Sequence, residues 1–396
     1  MNGDFTLYTP TKVVFGRKTE RKAGELVRAF GGSRVLIHYG GRSALRSGLI
    51  DRVKTSLDEA GVFHVELGGV VPNPQLDKVY EGIELAKANG VDFILAVGGG
   101  SVIDSAKAIA YALAEPEYDV KELYEHTRTA KACIPVGTIL TIAASGSEMS
   151  DSSVISYEDK KRGYNSDLCR PKFAIMDPEL TLTLPDYQTC AGCSDILMHT
   201  MERYFTSGSK LEITDALAEG LLRTVMKYAA VLHEDPTNYE ARAEVMWAGS
   251  LSHNGLTGCG NDGNDFASHR LEHELGALYG VTHGAGLTAV WPSWARYVYK
   301  NCLPRFVRFA RNVMGVEAGL SDEETALEGI ATMEDYFRSI GMPVTLKELL
   351  GKTVSEEEIR LLAKNCALAT GGKVGSAMVL YEEDMANIYR MAKELT

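Results

Sequence analysis

The feature of this sequence that most constrains its fold is a change of hydrophobic pattern near residue 185. Before that point, short β-branched runs alternate with amphipathic stretches, and this alternation predicts a parallel sheet covered by helices on both faces. The clearest predicted strands are 34–39, 62–67 and 92–97, and predicted helices follow them near 45–60, 76–88 and 101–114. Sheets of this kind bind ligands at the carboxyl ends of their strands.

After Pro185 the pattern becomes one of long helical periods with few β-branched runs. A chain of 396 residues is too long for one ordinary core, so two domains are expected. We place an α/β domain at 1–184 and an all-helical domain at 185–396. The predicted helices of the second domain include 186–206, 212–234, 238–258, 264–279 and 284–300.

Composition narrows the functional classes. The net charge is −12, from 53 acidic and 41 basic residues, which argues against a partner that is nucleic acid or an anionic membrane. No stretch reads as a membrane span, and the start at Met1–Phe5 has no basic and apolar signal segment. We therefore expect a cytoplasmic protein.

Seven cysteines fit reduced thiols better than a disulfide framework. Cys190 and Cys193 form a CxxC, for which a redox motif and a structural zinc site are alternatives to two small buried residues.

Candidate metal ligands are concentrated in the second half, where six of the nine histidines lie between His199 and His283. Asp195 and His199 stand four residues apart, which places both side chains on one face of a helix. His269, His273 and His283 follow further along the chain. One carboxylate and several imidazoles make a plausible ligand set for a divalent transition metal, although a single Asp–His pair at this spacing also occurs by chance.

A glycine-rich turn after the third strand is a candidate phosphate site. Gly98, Gly99 and Gly100 would let a ligand approach the backbone, and Ser101 would cap the helix, with Asp104 completing a capping box. Amides at such a helix start favour an anion such as pyrophosphate. The motif is neither GxGxxG nor a P-loop, so a simple tight turn remains the alternative.

Two other stretches could contact the same nucleotide. One is a run of hydroxyl-bearing side chains that could bond phosphate or amide groups: Thr138, Thr141, Ser145 and Ser147. The other is the turn after the first clear strand, formed by Gly40, Gly41, Arg42 and Ser43. NAD enzymes commonly place an acidic residue at that turn, whereas an arginine suits a 2′-phosphate, so we favour NADP over NAD.

Taken together, these motifs resemble the iron-containing (group III) alcohol dehydrogenase family, and in particular its NADPH-dependent butanol dehydrogenase-like branch. The GGGS turn, the TxxxSGSE-like loop, and the D-x-x-x-H, H-x-x-x-H and H-G motifs occur in order. The resemblance covers nearly the whole chain and implies a Rossmann-like nucleotide-binding domain followed by an all-α metal-binding domain, as in dehydroquinate synthase-like folds. Departures are Cys190 and Cys193 beside the ligand helix, and Ile196 where alanine is usual.

The resemblance also implies roles for individual residues. Asp195, His199, His269 and His283 match the metal ligands, while His273 matches a position near the substrate and is a candidate proton relay. Lys161 matches a lysine that reaches the cofactor. The implied reaction interconverts primary aliphatic alcohols and aldehydes with NADP(H), NAD being possible, and Fe²⁺ or Zn²⁺ as the metal. The remaining cofactor positions are the glycine and hydroxyl residues given above, together with Asp104.

Other functions stay open at this stage. They are a glycerol dehydrogenase-like or metal-free maleylacetate reductase-like enzyme of the same fold, and a metallohydrolase or lyase that binds a phosphorylated substrate. We also expect a homodimer, because the apolar run Phe5–Phe15 could add an edge strand.

Overall fold

The computed structural model describes residues 3–158, 160–206, 208 and 211–394. The chain divides into two compact units, one at Tyr8–Thr183 and one at Leu184–Thr396 that also includes Met1–Leu7. The residues before Tyr8 thus group with the second unit, whereas the sequence analysis placed them in the first. Local packing accounts for this: a Cβ on Gly255 of the second unit would lie 3.6 Å from the Leu7 side chain.

The first unit is built on a six-stranded sheet in which all neighbouring strands are parallel. The strand order is β1-β8-β5-β4-β2-β3, and β6 and β7 form a separate antiparallel pair. The predicted parallel sheet is therefore confirmed. The strands are β1 Lys12–Phe15, β2 Arg34–Tyr39, β3 Phe63–Leu67, β4 Phe93–Gly98, β5 Val136–Leu140, β6 Ser152–Tyr157, β7 Lys160–Asn165 and β8 Phe173–Met176.

Six α-helices accompany this sheet. They are α1 Ala23–Ala29, α2 Ser43–Arg46, α3 Leu49–Glu59, α4 Leu76–Ala88, α5 Gly100–Ala114 and α6 Lys121–Tyr124. The helix predicted near 45–60 is divided in two, because Gly48 adopts a left-handed conformation with φ of 68°. Glycine reaches this conformation at little cost, so it separates α2 from α3. The central strands β4 and β5 are fully buried, as expected for a sheet covered on both faces.

The second unit is helical throughout its described part, apart from turns and two isolated bridges. Its helices are α7 Asp186–Tyr204, α8 Glu212–Glu234, α9 Tyr239–His253, α10 Ala267–Tyr279, α11 His283–Val298, α12 Leu303–Asn312, α13 Asp322–Ser339, α14 Leu346–Leu350, α15 Glu356–Ala369 and α16 Glu382–Lys393. Short 3-10 turns in the two units lie at Thr19–Lys22, Asp167–Cys169, Pro178–Thr181, Leu256–Gly258 and Tyr299–Cys302. Among the described residues, none of the helices is long and apolar enough to cross a membrane.

Helix α7 is the central helix of the second unit. Every residue from Thr189 to Tyr204 is buried, and α8, α9 and α11 all pack against the helix. Its carboxyl end meets an aromatic cluster in which the Phe205 ring stacks on Phe306 at 4.2 Å between centroids. Because α7 is enclosed on all sides, the polar side chains that it carries are held away from bulk water.

Candidate metal centre

Asp195 and His199 lie on one face of the buried helix α7, as their spacing predicts. Both residues are 4% exposed, which is rare for a carboxylate and an imidazole unless they are paired or bound to a metal. The Oδ1 atom of Asp195 lies 3.4 Å from Nδ1 of His199. The helix therefore presents one oxygen and one nitrogen toward the same point inside the unit.

Helices α10 and α11 bring two more imidazoles to that carboxylate. Nε2 of His269 lies 3.5 Å from Oδ1 of Asp195, and Nε2 of His283 lies 3.7 Å from the same oxygen. His283 is the first residue of α11, and Gly284 allows this helix start to approach α7: a Cβ on Gly284 would lie 1.9 Å from the carbonyl oxygen of Ala191. Four side chains that span 89 positions of the sequence thus meet at one oxygen atom.

The donor set fits a divalent cation. Asp195 Oδ1, His199 Nδ1 and His269 Nε2 are all buried, and none makes a hydrogen bond to any residue in the described part of the chain. Leaving such groups unsatisfied costs about 1–3 kcal/mol each, so an unexplained cluster of them calls for a ligand. One carboxylate and three imidazoles would suit a Zn²⁺ or Fe²⁺ ion.

Two buried carboxylates that the sequence analysis missed orient the candidate ligands. Glu202 accepts hydrogen bonds from Nδ1 of His269 and, at 2.9 Å, from its backbone amide. Glu272 accepts a hydrogen bond from Nδ1 of His283. Both carboxylates are 0% exposed. A carboxylate behind a metal-binding histidine fixes the ring so that its other nitrogen faces the metal, which here is Nε2 of each histidine.

The spacing of both carboxylates from predicted metal ligands was visible in the sequence. Glu202 follows Asp195 by seven residues and Glu272 follows His269 by three, so each shares a helix face with a predicted ligand. The spacing alone could not show that these carboxylates were buried.

His253 is a third residue that the sequence analysis assigned no role in the site. Its ring centroid lies 4.1 Å from that of His199, and its Nδ1 lies 3.2 Å from a guanidinium nitrogen of Arg203. Arg203 also donates to the backbone carbonyl of His199 at 2.8 Å. His253 and Arg203 therefore help to hold His199 in position.

The protonation of the ligands follows from these neighbours. Burial, with the nearby rings of His253 and His269, lowers the pKa of His199 well below its usual value. Burial also lowers the pKa of His269, but the carboxylates of Glu202 and Asp195 outweigh this effect and hold it at about 9. A cation at this point would therefore displace a proton from His269, as expected for ligands that must be deprotonated to bind.

His273 lies one turn after His269 on α10. Its ring centroid is 5.7 Å from that of His283 and 6.4 Å from that of His269, so it borders the cluster without joining the four groups around Asp195. The histidine is partly exposed, in contrast to the buried His269.

The glycine turn lies at the carboxyl end of β4, where the sequence analysis placed it. Helix α5 starts at Gly100, and its cap residue is Gly99 without a side-chain cap bond, so the prediction that Ser101 caps this helix is wrong. The glycines are also required by the chain itself: a Cβ on Gly100 would lie 2.2 Å from the Ser145 hydroxyl oxygen, and one on Gly99 would lie 2.2 Å from Ile142. The turn therefore packs tightly under the 141–147 loop.

Several of the predicted cofactor residues have structural partners. Asp104 does not close a capping box; it is partly buried and accepts from the Ser147 hydroxyl at 2.6 Å and from the Val154 amide at 2.9 Å. Burial raises the pKa of Asp104, an effect that the nearby Lys107 opposes. Thr138 is fully buried in β5, where its hydroxyl donates to the Phe173 carbonyl.

Lys107 was not identified from the sequence, although it braces the same loop. Its ammonium group is fully buried and donates to Ser147, Ser150 and Ser152 at distances of 2.7–3.0 Å.

The other predicted cofactor positions fall on exposed or partly exposed backbone of the first unit. Gly40, Gly41, Arg42 and Ser43 follow β2, which is the parallel neighbour of β4, so this turn and the glycine turn lie at the same edge of the sheet. Arg42 and Ser43 are exposed. Thr141 and Ser145 begin the loop after β5 and are partly buried, and Lys161 lies on β7 opposite Ser156.

A parallel sheet with a glycine turn, together with a helical unit that carries an Asp–His₃ cluster, is typical of metal-dependent nucleotide-binding dehydrogenases. Comparison with known families agrees. The profile of the iron-containing alcohol dehydrogenase family matches residues 10–178, and that of the C-terminal part of the Fe-containing alcohol dehydrogenase family matches residues 189–393. The chain belongs to the iron-containing alcohol dehydrogenase family and is an oxidoreductase.

Individual relatives cover nearly the full chain. NADH-dependent butanol dehydrogenase A of Clostridium acetobutylicum is 39% identical, over 98% of each chain. The NADPH-dependent aldehyde reductase YqhD of Escherichia coli is 36% identical, over 87% of this chain and 89% of its own. Among solved structures, NADH-dependent butanol dehydrogenase A of Thermotoga maritima superposes with a TM-score of 0.94 at 40% identity and covers 99% of both chains.

Proposed function

We propose that the protein is an alcohol dehydrogenase and aldehyde reductase that interconverts primary aliphatic alcohols and aldehydes with a nicotinamide cofactor. The observation that carries this proposal is the approach of three imidazole nitrogens to within 3.4–3.7 Å of Oδ1 of Asp195. The names of the relatives, which include butanol dehydrogenases and an aldehyde reductase, support the substrate class. In this proposal the first unit binds the nucleotide and the second holds the metal.

Asp195, His199, His269 and His283 would hold the Fe²⁺ or Zn²⁺ ion. When bound, such an ion supplies Lewis acidity toward the oxygen of the alcohol or aldehyde. Glu202 and Glu272 hold the rings of His269 and His283 in place, so the ligand nitrogens are preorganised. We propose His273 as the group that exchanges a proton with the substrate oxygen or with water next to it, because imidazole is a common proton donor and acceptor in catalysis and His273 borders the cluster.

A metal-free reductase of the same fold is disfavoured by the complete set of four ligand side chains. The hydrolase or lyase alternative differs in that no hydride moves. A direct assay separates these alternatives: the purified enzyme, reconstituted with Fe²⁺ or Zn²⁺, should oxidise NADPH or NADH only when butyraldehyde is present. This oxidation is followed by the loss of reduced-nicotinamide absorbance. If a metal-loaded enzyme oxidised neither cofactor with any of several aldehydes, the dehydrogenase proposal would be rejected.

We further propose that Arg42 gives the enzyme a preference for NADPH over NADH. NADH is the alternative, because the relatives include an NADH-dependent butanol dehydrogenase as well as an NADPH-dependent aldehyde reductase. Arg42→Asp is expected to lower kcat/KM for NADPH by roughly 10-fold or more and to change that for NADH much less, since a charge-assisted bond to phosphate contributes about 1.5–3 kcal/mol. Arg46→Asp is the matched control, because Arg46 is also exposed and is the last residue of the short helix α2 that Arg42 precedes. An unchanged cofactor ratio in the Arg42 variant would exclude Arg42 as the phosphate contact.

A homodimer and a cytoplasmic location also remain proposals. The dimer is supported by the edge position of β1 in its sheet and by the exposed aromatic side chains of Phe15 and Tyr8. Light scattering on the purified protein should give twice the chain mass of 43.1 kDa. A monomer at micromolar concentration would contradict the dimer.

A further inference from the structure

A cluster of three metal-ligating side chains lies apart from the Asp195 centre, at the start of α7. Asp186 is the first residue of α7, Cys190 follows one turn later, and His233 projects from the last turn of α8. One ligand atom from each residue lies within 4.8 Å of the other two. We propose that Asp186, Cys190 and His233 form a second divalent-cation site that is suited to a thiophilic ion such as Zn²⁺. This proposal does not rest on the proposed function.

The distances within this trio are close to those of a zinc polyhedron. Nδ1 of His233 lies 3.0 and 3.1 Å from the two oxygens of Asp186. Sγ of Cys190 lies 3.3 Å from Oδ1 of Asp186 and 3.8 Å from Nδ1 of His233. With Zn–O and Zn–N near 2.1 Å and Zn–S near 2.3 Å, the edges of a tetrahedron are about 3.4–3.6 Å. Small rotations of the side chains would therefore bring all three atoms to bonding distance of one ion.

Access and chemistry are compatible with an ion at this point. The Asp186 and His233 side chains are 45% and 36% exposed, so an ion and a completing water can enter from solvent, whereas Cys190 is fully buried behind them. On binding, the S–H bond of Cys190 breaks, a sulfur–metal bond forms and the proton leaves to solvent. The buried guanidinium of Arg242, which donates to the Thr189 hydroxyl at 2.8 Å, adds positive charge next to the resulting thiolate.

The bound ion would link two elements of the second unit. Helix α7 also carries Asp195 and His199, so an ion at its first turn would attach the helix of the catalytic ligands to the end of α8. We expect Zn²⁺ to raise the unfolding temperature of the His269→Asn variant, in which the Asp195 centre has been disabled and the second site is intact. The same addition should have no such effect on His233→Ala in that background.

Cobalt provides a direct test, because the Asp195 centre contains no thiolate. Co²⁺ titrated into full-length His269→Asn, in which the Asp195 centre is disabled, should produce a thiolate-to-cobalt charge-transfer band in the near ultraviolet that saturates at one ion per chain. The band should disappear in Cys190→Ala and in His233→Ala, with circular dichroism used to verify that each variant is folded. If Asp186→Asn is folded, it should bind cobalt at least 10-fold more weakly.

Two control variants make the assignment specific. Cys193→Ala removes the neighbouring buried thiol, and His64→Ala removes a histidine that contacts Asp58 at 3.1 Å without a cysteine. Both should retain the band. The proposal would be overturned if the folded wild-type enzyme showed no thiolate band with cobalt in excess, if the band survived in Cys190→Ala, or if Cys193→Ala abolished it.

Discussion

Replacing His269 with asparagine is expected to remove the metal from the Asp195 centre and to lower kcat by roughly 1,000-fold or more. The ligand nitrogen Nε2, which lies 3.5 Å from Asp195, is lost. The asparagine amide can still donate to Glu202 from near the position of Nδ1, so the buried carboxylate keeps a partner. The size of the effect follows from the several kcal/mol that a Lewis acid contributes to such a reaction, at 1.36 kcal/mol per factor of ten.

The matched control for this experiment is His273→Asn, which places the same substitution one turn further along the same helix. That variant should retain its metal, as measured by elemental analysis. Its rate should nevertheless depend on pH in a different way from that of the wild-type enzyme. The metal content is measured in a Cys190→Ala background without added cobalt, so that only the Asp195 centre is counted. If folded His269→Asn in this background retained a full metal equivalent, His269 would be excluded as a ligand.

Replacing Gly284 with alanine is expected to be the most damaging small substitution in the second unit. The added Cβ would lie 1.9 Å from the carbonyl oxygen and 3.0 Å from the Cα of Ala191, both backbone atoms of the buried helix α7. The helices must move apart, which costs about 3 kcal/mol or more and draws His283 away from Asp195. We expect a clearly lower urea midpoint and weaker metal binding in the same variant.

Gly220→Ala tests whether this effect is specific. Gly220 lies inside α8, and a Cβ built there meets no atom within 4 Å. Alanine should therefore be neutral or stabilise the protein by up to about 1 kcal/mol, because it restricts the unfolded chain more than glycine does. If the two variants were equally stable, the close approach of α11 to α7 at Gly284 would not be required for the stability of the protein.

The parts of the structure that depend on local pattern could be read from the sequence. The predicted helix 212–234 coincides with α8, because its amphipathic period is regular along the helix. The predicted strand 34–39 coincides with β2, because it is a short apolar run that ends before two glycines. The approach of Asp195, His199, His269 and His283 was expected from their residue types and from the family resemblance, since spacing alone could justify only the first pair.

What the sequence could not provide was the burial of particular polar groups. Thr138 looked like a ligand-binding hydroxyl, yet it lies in a central strand and bonds the neighbouring strand. Glu202 and Glu272 were assigned no role from the sequence, although both are fully buried beside the histidines that they hold. Such outcomes depend on which helices enclose an element, and this is a property of the assembled unit and not of a short window of residues.

The enclosure of α7 has a consequence for laboratory evolution of this enzyme. From Thr189 to Tyr204 no position faces solvent, so random substitutions in this segment have almost no neutral outcomes. Libraries that aim at new aldehyde specificity should leave these residues unchanged and diversify the partly exposed positions around His273 on α10. In a deep mutational scan, most substitutions between Thr189 and Tyr204 should reduce activity, whereas positions on either side of this segment should tolerate more substitutions.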